Sequence, residues 1–302
     1  MVAYPLILSG LAQQVIIATD TAFLGRVGEA ELGAAGNGGL FYFIFVLVGM
    51  GLATGSQIII GRRNGEQSFN AIGKIVNATL VFQLVCASVL VLFIQIFAPA
   101  MIEAITKSEK IYMANISYIS IRSYGLFFIM INAGLTAFYV GTAQTKIIAW
   151  SNLVMAGVNV VLGYLLIFGK FGLPEMGIQG AALGAVIAEA CATIFLLFYA
   201  YFIIDKNKYS LFRFKEMSLQ MFREILKIGG PIMLQYFNAI AAWYAFFNIV
   251  EKMGVHELAI SHIIRGVYIL FSVSVFGIGS AVSTMVSNLI GQGKQNEVIG
   301  LT

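Results

Sequence analysis

Gly73-Lys-Ile-Val-Asn-Ala-Thr-Leu-Val-Phe-Gln-Leu-Val-Cys-Ala-Ser-Val-Leu-Val-Leu-Phe-Ile-Gln-Ile-Phe-Ala-Pro-Ala-Met101 carries a single charge, Lys74, near its start. A helix needs about 20 mostly apolar residues to cross the hydrocarbon core of a bilayer, and this run is longer than that. Working outward, seven more such runs appear, at roughly 3–24, 34–60, 111–141, 147–168, 178–204, 226–252 and 258–290. None shows the alternation over about ten residues that a membrane β-strand requires. The whole chain agrees: of 302 residues 59% are apolar and 11% charged, with a mean hydropathy of +0.89. A soluble domain carries about 25% charge. The composition therefore predicts an all-α polytopic membrane protein with about eight transmembrane helices. It excludes an ordinary cytosolic enzyme, a disordered chain and a nucleic-acid binder.

The net charge of +4 reflects scarcity, 18 basic residues against 14 acidic ones. Cys86 and Cys191, both in apolar runs, are too few for a disulfide framework or a metal site. The first run leads directly to Asp20 without a cleavage motif, so it reads as a retained helix. Eight spans place both ends on one side. That side carries eleven basic residues, including Arg62, Arg63 and Lys74, then Lys146, and six between Lys206 and Lys227. The other side carries five: Arg26, Lys107, Lys110, Lys170 and Lys252. The bias predicts a cytoplasmic N-terminus in the cell (inner or plasma) membrane.

The start of the chain is echoed near its end. Pro5-Leu-Ile-Leu resembles Pro231-Ile-Met-Leu, and Gly28-Glu-Ala-Glu-Leu32 resembles Gly254-Val-His-Glu-Leu258, both at the same offset. Gly61-Arg-Arg-Asn-Gly-Glu66 is similarly matched by Gly291-Gln-Gly-Lys-Gln-Asn-Glu297. Both copies enter the membrane from the same side, so the repeat is parallel. The expected division is an N-lobe of six helices over 1–204, a cytoplasmic linker over 205–227, and the first two helices of an incomplete C-lobe over 228–302. A complete second copy implies twelve helices, with roughly 140–150 residues beyond Thr302. Within the linker, 217–227 reads either as a short amphipathic surface helix or as a plain solvated connector.

Charges within spans are costly and mark functional sites by default. Only Asp20 and Glu189 among the carboxylates fall well inside spans. Gln13 lies two helical turns before Asp20, on the same face. An intramembrane carboxyl can take and release a proton near neutral pH, or hold Na⁺ with neighbouring oxygens. The bland reading of Asp20 is an interfacial cap. Glu189 reads either as functional or as a polar side chain paired to a neighbouring helix. Asn132, Asn152 and Asn159 either line the same cavity or bond between helices. Arg122 and Arg265 are expected near the outer ends of long spans, snorkelling to the interface.

These residues resemble the multidrug and toxic compound extrusion (MATE) family of cation-coupled antiporters. The match is carried by Pro5, by Asp20-Thr-Ala-Phe-Leu-Gly25-Arg-Val-Gly28, by Gly61-Arg-Arg-Asn-Gly-Glu66, and by the stretch from Asn159 through Gly169, Gly172, Pro174 and Gly177 to Gly180. The resemblance implies twelve helices in two lobes. It implies that Asp20 binds the coupling H⁺ or Na⁺, that Gln13 and Asn159 line the cavity beside it, and that span one bends about Pro5. Asn132 and Glu189 complete the candidate cavity and substrate-binding set. The chain departs from the family pattern at Gly163, where some branches carry a second aspartate. It also departs in span seven, where 235–241 contains no acid, and at Val140, where many members are basic.

The expected function is a cation-coupled antiporter that exports amphiphilic, often cationic, organic compounds by alternating access. It would work without a cofactor or a bound metal other than Na⁺ at Asp20, and as a monomer when full length. The alternatives are a lipid-linked precursor flippase of related architecture, which needs basic residues within its cavity, and a non-functional truncated fragment. An intramembrane enzyme is not expected, because the two aspartates, Asp20 and Asp205, lie apart and form no Mg²⁺ cluster.

Overall fold

The computed structural model describes residues 3–106, 108–214, 218–253 and 255–300. Every long apolar run becomes a helix, since backbone groups out of water must bond within their own segment. The order is α1 (Ala3–Val27), α2 (Glu29–Gly65), α3 (Phe69–Ile105), α4 (Glu109–Arg122), α5 (Gly125–Gly141), α6 (Lys146–Phe168), α7 (Ile178–Phe202), α8 (Lys206–Tyr209), α9 (Leu219–Met253) and α10 (Val255–Gly291). Among the described residues six helices are long and apolar enough to cross a membrane, and α4 with α5 forms a seventh, bent span. The eighth run, α9, carries Gln235, Tyr236 and Asn238 within its apolar stretch and is not among them. At 37 residues, α2, α3 and α10 are about 55 Å long. They therefore tilt or project beyond a core about 30 Å thick.

Two expectations need correction. The run 111–141 is not one rod: it breaks at Ser123 and Tyr124 and bends by 47°. The break frees backbone carbonyls, and Gln95 of α3 donates from Nε2 to the Ser120 carbonyl at 2.8 Å and to Ser123 Oγ at 2.9 Å. The 217–227 stretch is neither a surface helix nor a connector from Leu219 onward, since those residues are the first turns of α9. Met217 lies outside the described residues. The preceding linker is held to the bundle by Asn77 of α3, which donates to the Ser210 carbonyl and accepts from Phe212 N–H.

The main apolar core joins α2, α3, α5 and α7 through Ile60, Ile72, Leu80, Phe138, Tyr139 and Leu196. Tyr139 satisfies its buried hydroxyl on the Leu196 carbonyl at 2.8 Å. Outward faces remain apolar: Leu92 and Ile96 on α3 are 62% and 66% exposed, as a lipid-facing surface requires.

The repeat has a geometric counterpart. Helix α1 packs on α10, and α2 packs on α9. A two-fold relation between copies demands this cross-pairing, in which a contact from i to j′ is matched by one from j to i′. A Cβ on Gly51 would run into Met233, and a Cβ on Gly277 would run into Ile7. Met233 follows Ile7, and Gly277 follows Gly51, at the same offset that separates Pro5 from Pro231. Gly61 faces Ser287 on α10, with 3.0 Å between the Ser287 Cβ and a Cβ built on Gly61.

Candidate functional site

Asp20 lies on α1 against α6. The α6 side chain that reaches it is Asn159, which is buried. One turn further, Gly163 leaves open space: a Cβ there would sit 3.9 Å from Asp20 Oδ1 and 3.8 Å from the Phe23 ring. Asp20 Oδ1 and Asn159 Oδ1 are each buried without a hydrogen-bond partner among the described residues. Buried acceptors are rarely left unpaired. Oxygens of this kind can share a proton or ligate a small hard cation. The other expected residues lie on several different helices. Gln13 is half-buried two turns earlier on α1. Asn132 sits on α5, which packs on α2, α3 and α7, and its carboxamide oxygen accepts from Thr136 Oγ1 at 3.4 Å. Pro5 is buried in the first described turn of α1, where a missing N–H costs no helical bond.

Glu189 is brought to Arg122 of α4. Arg122 Nη1 donates to Glu189 Oε2 at 2.8 Å, and Nη2 donates to Oε1 at 2.5 Å. The two side chains are 12% and 6% exposed, so the pair is out of water. Arg122 therefore does not snorkel to an interface. It is the last residue of α4, near the middle of the bent span, where its charge complements the negative end of the half-helix. Arg265 rests over the Trp243 and Phe247 rings, at 5.9 and 5.3 Å from their centroids.

The ion pair is closely housed. The Arg122 guanidinium lies 4.0 Å from the centroid of the Tyr42 ring. Gly125 opens α5 beneath it, and a Cβ there would meet Arg122 Nη1, Glu189 Oε2 and Tyr42 Oη at once. Contacts thus bring Arg122, Glu189 and Tyr42 into one cluster around Gly125, while Asp20 keeps its place on α1 against α6. Sequence reasoning missed the roles of Arg122 and Tyr42 beside Glu189. The available signal was the pairing rule for intramembrane charges, one base and one acid in spans with no other partner for either.

A family model described as MatE matches residues 5–165. The "Probable multidrug resistance protein NorM" of Agrobacterium fabrum is 25% identical over 296 residues, covering 98% of this chain and 63% of that protein. The "Multidrug resistance protein NorM" of Burkholderia vietnamiensis is 26% identical over 298 residues, covering 96% and 63%. Among solved structures, an outward-facing conformation of a multidrug resistance MATE family transporter of the MOP superfamily superposes with a TM-score of 0.90 at 17% identity. It covers 99% of this chain and 66% of that one. The chain thus spans just under two-thirds of the length of these relatives.

Proposed function

Since the chain belongs to the MatE family, we propose that it forms the cation-coupling part of an efflux antiporter, with Asp20 as the site for H⁺ or Na⁺. The observation that carries this reading is the pair of orphan oxygens, Asp20 Oδ1 and Asn159 Oδ1, buried without partners on the packed helices α1 and α6. A proton on Asp20 would donate to Asn159, and Na⁺ would take both oxygens. Cation entry and export of an amphiphilic organic cation then compete for one carboxylate, and alternating access separates the two events. Gln13 and Asn132 extend the polar lining. The protein would reside in the cell membrane with a cytoplasmic N-terminus, acting as a monomer without further cofactor. The 302 residues would work together with the remaining helices that the length of the relatives implies.

A flippase for lipid-linked precursors needs free positive charge to hold phosphate. Arg122 does lie inside the bundle, but both of its terminal nitrogens are engaged by Glu189, so the cluster offers no free cation to an anionic substrate.

The test is the Asp20→Asn variant of the complete gene product, in inverted membrane vesicles. Cation-driven efflux of ethidium is expected to fall to background while membrane insertion stays at the level of the unaltered protein. Undiminished efflux would sink the coupling role.

A further inference from the structure

The end of α7 carries a feature that the transport scheme does not use. Ile194, Leu197, Phe198, Tyr201 and Phe202 recur at spacings of three and four residues, so they form one stripe of the helix. With Phe212, which the chain brings back beside them, they line an open apolar hollow of about 330 Å³ on the outer surface. Ile194, Phe198 and Phe202 are 61%, 56% and 67% exposed. The stripe runs about 12 Å along the helix, from Ile194 to the last helical residue, Phe202. The hollow therefore faces hydrocarbon at one end and the headgroup region at the other. Phe212 is held there under strain. Its φ is +62°, in the left-handed region that a bulky side chain rarely adopts. Its N–H donates to Asn77 Oδ1 of α3 at 2.8 Å, and its ring lies 6.1 Å from that of Tyr201. Strained residues of this kind cluster at functional sites, ligand clamps included.

Two cations stand at the headgroup end. Lys206 Nζ lies 3.5 Å from the centroid of the Tyr201 ring. Arg213 follows Phe212, and its Nη2 donates to Asn207 Oδ1, beside Lys206, at 3.5 Å. No carboxylate among the described residues forms an ion pair with either cation. The one acid between positions 198 and 214 is Asp205, and its Oδ1 already accepts from the N–H groups of Asn207 and Lys208. Lys208 is lodged elsewhere, 4.1 Å from the centroid of the Phe69 ring of α3.

We propose that this hollow seats one anionic phospholipid, with an acyl chain along Ile194, Phe198 and Phe202 and the phosphate at Lys206 and Arg213. The occupant needs both parts. An apolar hollow open to hydrocarbon takes a hydrocarbon chain and gives nothing to a free anion. Two cations without carboxylate partners at the membrane edge attract a negatively charged headgroup, and a zwitterionic headgroup, with no net charge, gains less. Arg213 offers phosphate a planar fork of donors, and Lys206 offers it a compact charge. One lipid molecule would thus fasten the 206–213 segment to the end of α7 through an apolar and a polar contact at once. The seat is independent of Asp20 and of the coupling ion.

The experiment is native mass spectrometry of the complete gene product, delipidated in detergent and titrated with dioleoylphosphatidylglycerol or dioleoylphosphatidylcholine. One phosphatidylglycerol is expected to be retained more tightly than any phosphatidylcholine. Lys206→Gln and Arg213→Gln are each expected to weaken that retention about fivefold, while retention of phosphatidylcholine stays as it was. Lys206→Arg keeps the charge and should keep the lipid. Lys208→Gln removes the same charge from the residue lodged on Phe69 and should leave the retention unchanged. Glycerophosphoglycerol, the same headgroup without its chains, should fail to compete. Equal retention of the two lipids, or an equal loss from Lys208→Gln, would reduce the hollow to ordinary lipid contact and overturn the proposal. Competition by glycerophosphoglycerol at lipid concentrations would make it a site for a free phosphate and overturn the lipid seat as well. Should one neutral variant fail to fold, the other carries the comparison against Lys206→Arg and Lys208→Gln.

Discussion

Gly125 shows how one missing methyl group can set the geometry of a site. It starts α5 directly under the break in span four, and the space a Cβ would fill is taken by Arg122, Glu189 and Tyr42. Gly125→Ala must push the ion pair or the α4–α5 junction aside. Overpacking of this kind costs about 1–3 kcal/mol, so a clear fall in the Tm of the detergent-solubilised protein is expected. An unchanged Tm would mean that the pair sits elsewhere. Tyr42→Leu tests the neighbouring contact, because it removes the ring over the guanidinium at 4.0 Å. A desolvated cation–π contact is worth about 2 kcal/mol, whereas Tyr42→Phe keeps the ring and should cost less, and Tm measurements on the two variants rank them. At this scale the sequence was half legible. Asp20 stood out because an acid within a span has few structural excuses. The partnership of Arg122 and Glu189 did not, because 111–141 reads as an unbroken apolar run. The polar residues that mark its break, Ser120 and Ser123, are satisfied by Gln95 from a different helix.

Among the elements, the α1–α10 and α2–α9 pairings should behave alike by symmetry. Gly51 and Gly277 occupy equivalent places in the two copies, each allowing close approach of the other copy's first helix at Met233 and Ile7. Small residues at such crossings are what membrane helices use to pack closely. Gly51→Ala and Gly277→Ala are therefore expected to be destabilising to a similar extent, by about 1–3 kcal/mol each. A thermal-shift series comparing the two variants checks this, and a large effect from only one would contradict an equivalent role for the two crossings. This relation is legible in the sequence, since one constant offset carries Pro5 to Pro231 and Gly28 to Gly254. The extent of α9 was not. Charged residues at 223–227 read as linker because sequence weighs them as solvated, yet the helix runs unbroken from Leu219 and buries Ile225 in the main core.

For the whole molecule, the decisive question is which end is shut. At the end carrying Gly65 and Gly291, polar side chains tie α2 to α10. Gln57 Nε2 donates to Thr284 Oγ1 at 3.0 Å, and Asn64 Nδ2 donates to Asn288 Oδ1 at 2.7 Å. Asn288 also donates to the Gly141 carbonyl at 3.3 Å, which brings the end of α5 into the same seam. Each such bond within a membrane protein is worth about 0.6 kcal/mol on average, so the seam closes this end without making closure irreversible. In the antiport cycle proposed above, alternating access would require it to part once per cycle. Joining the two helices covalently should therefore stop transport without unfolding anything. Asn64→Cys with Asn288→Cys, made in a background lacking Cys86 and Cys191, places the new thiols where the shortest of these hydrogen bonds now runs. Oxidation is expected to abolish ethidium efflux from vesicles, and dithiothreitol to restore it, while the reduced double variant transports throughout. Persistent efflux from the fully cross-linked protein would show that this end need not open, and alternating access between α2 and α10 would have to be abandoned.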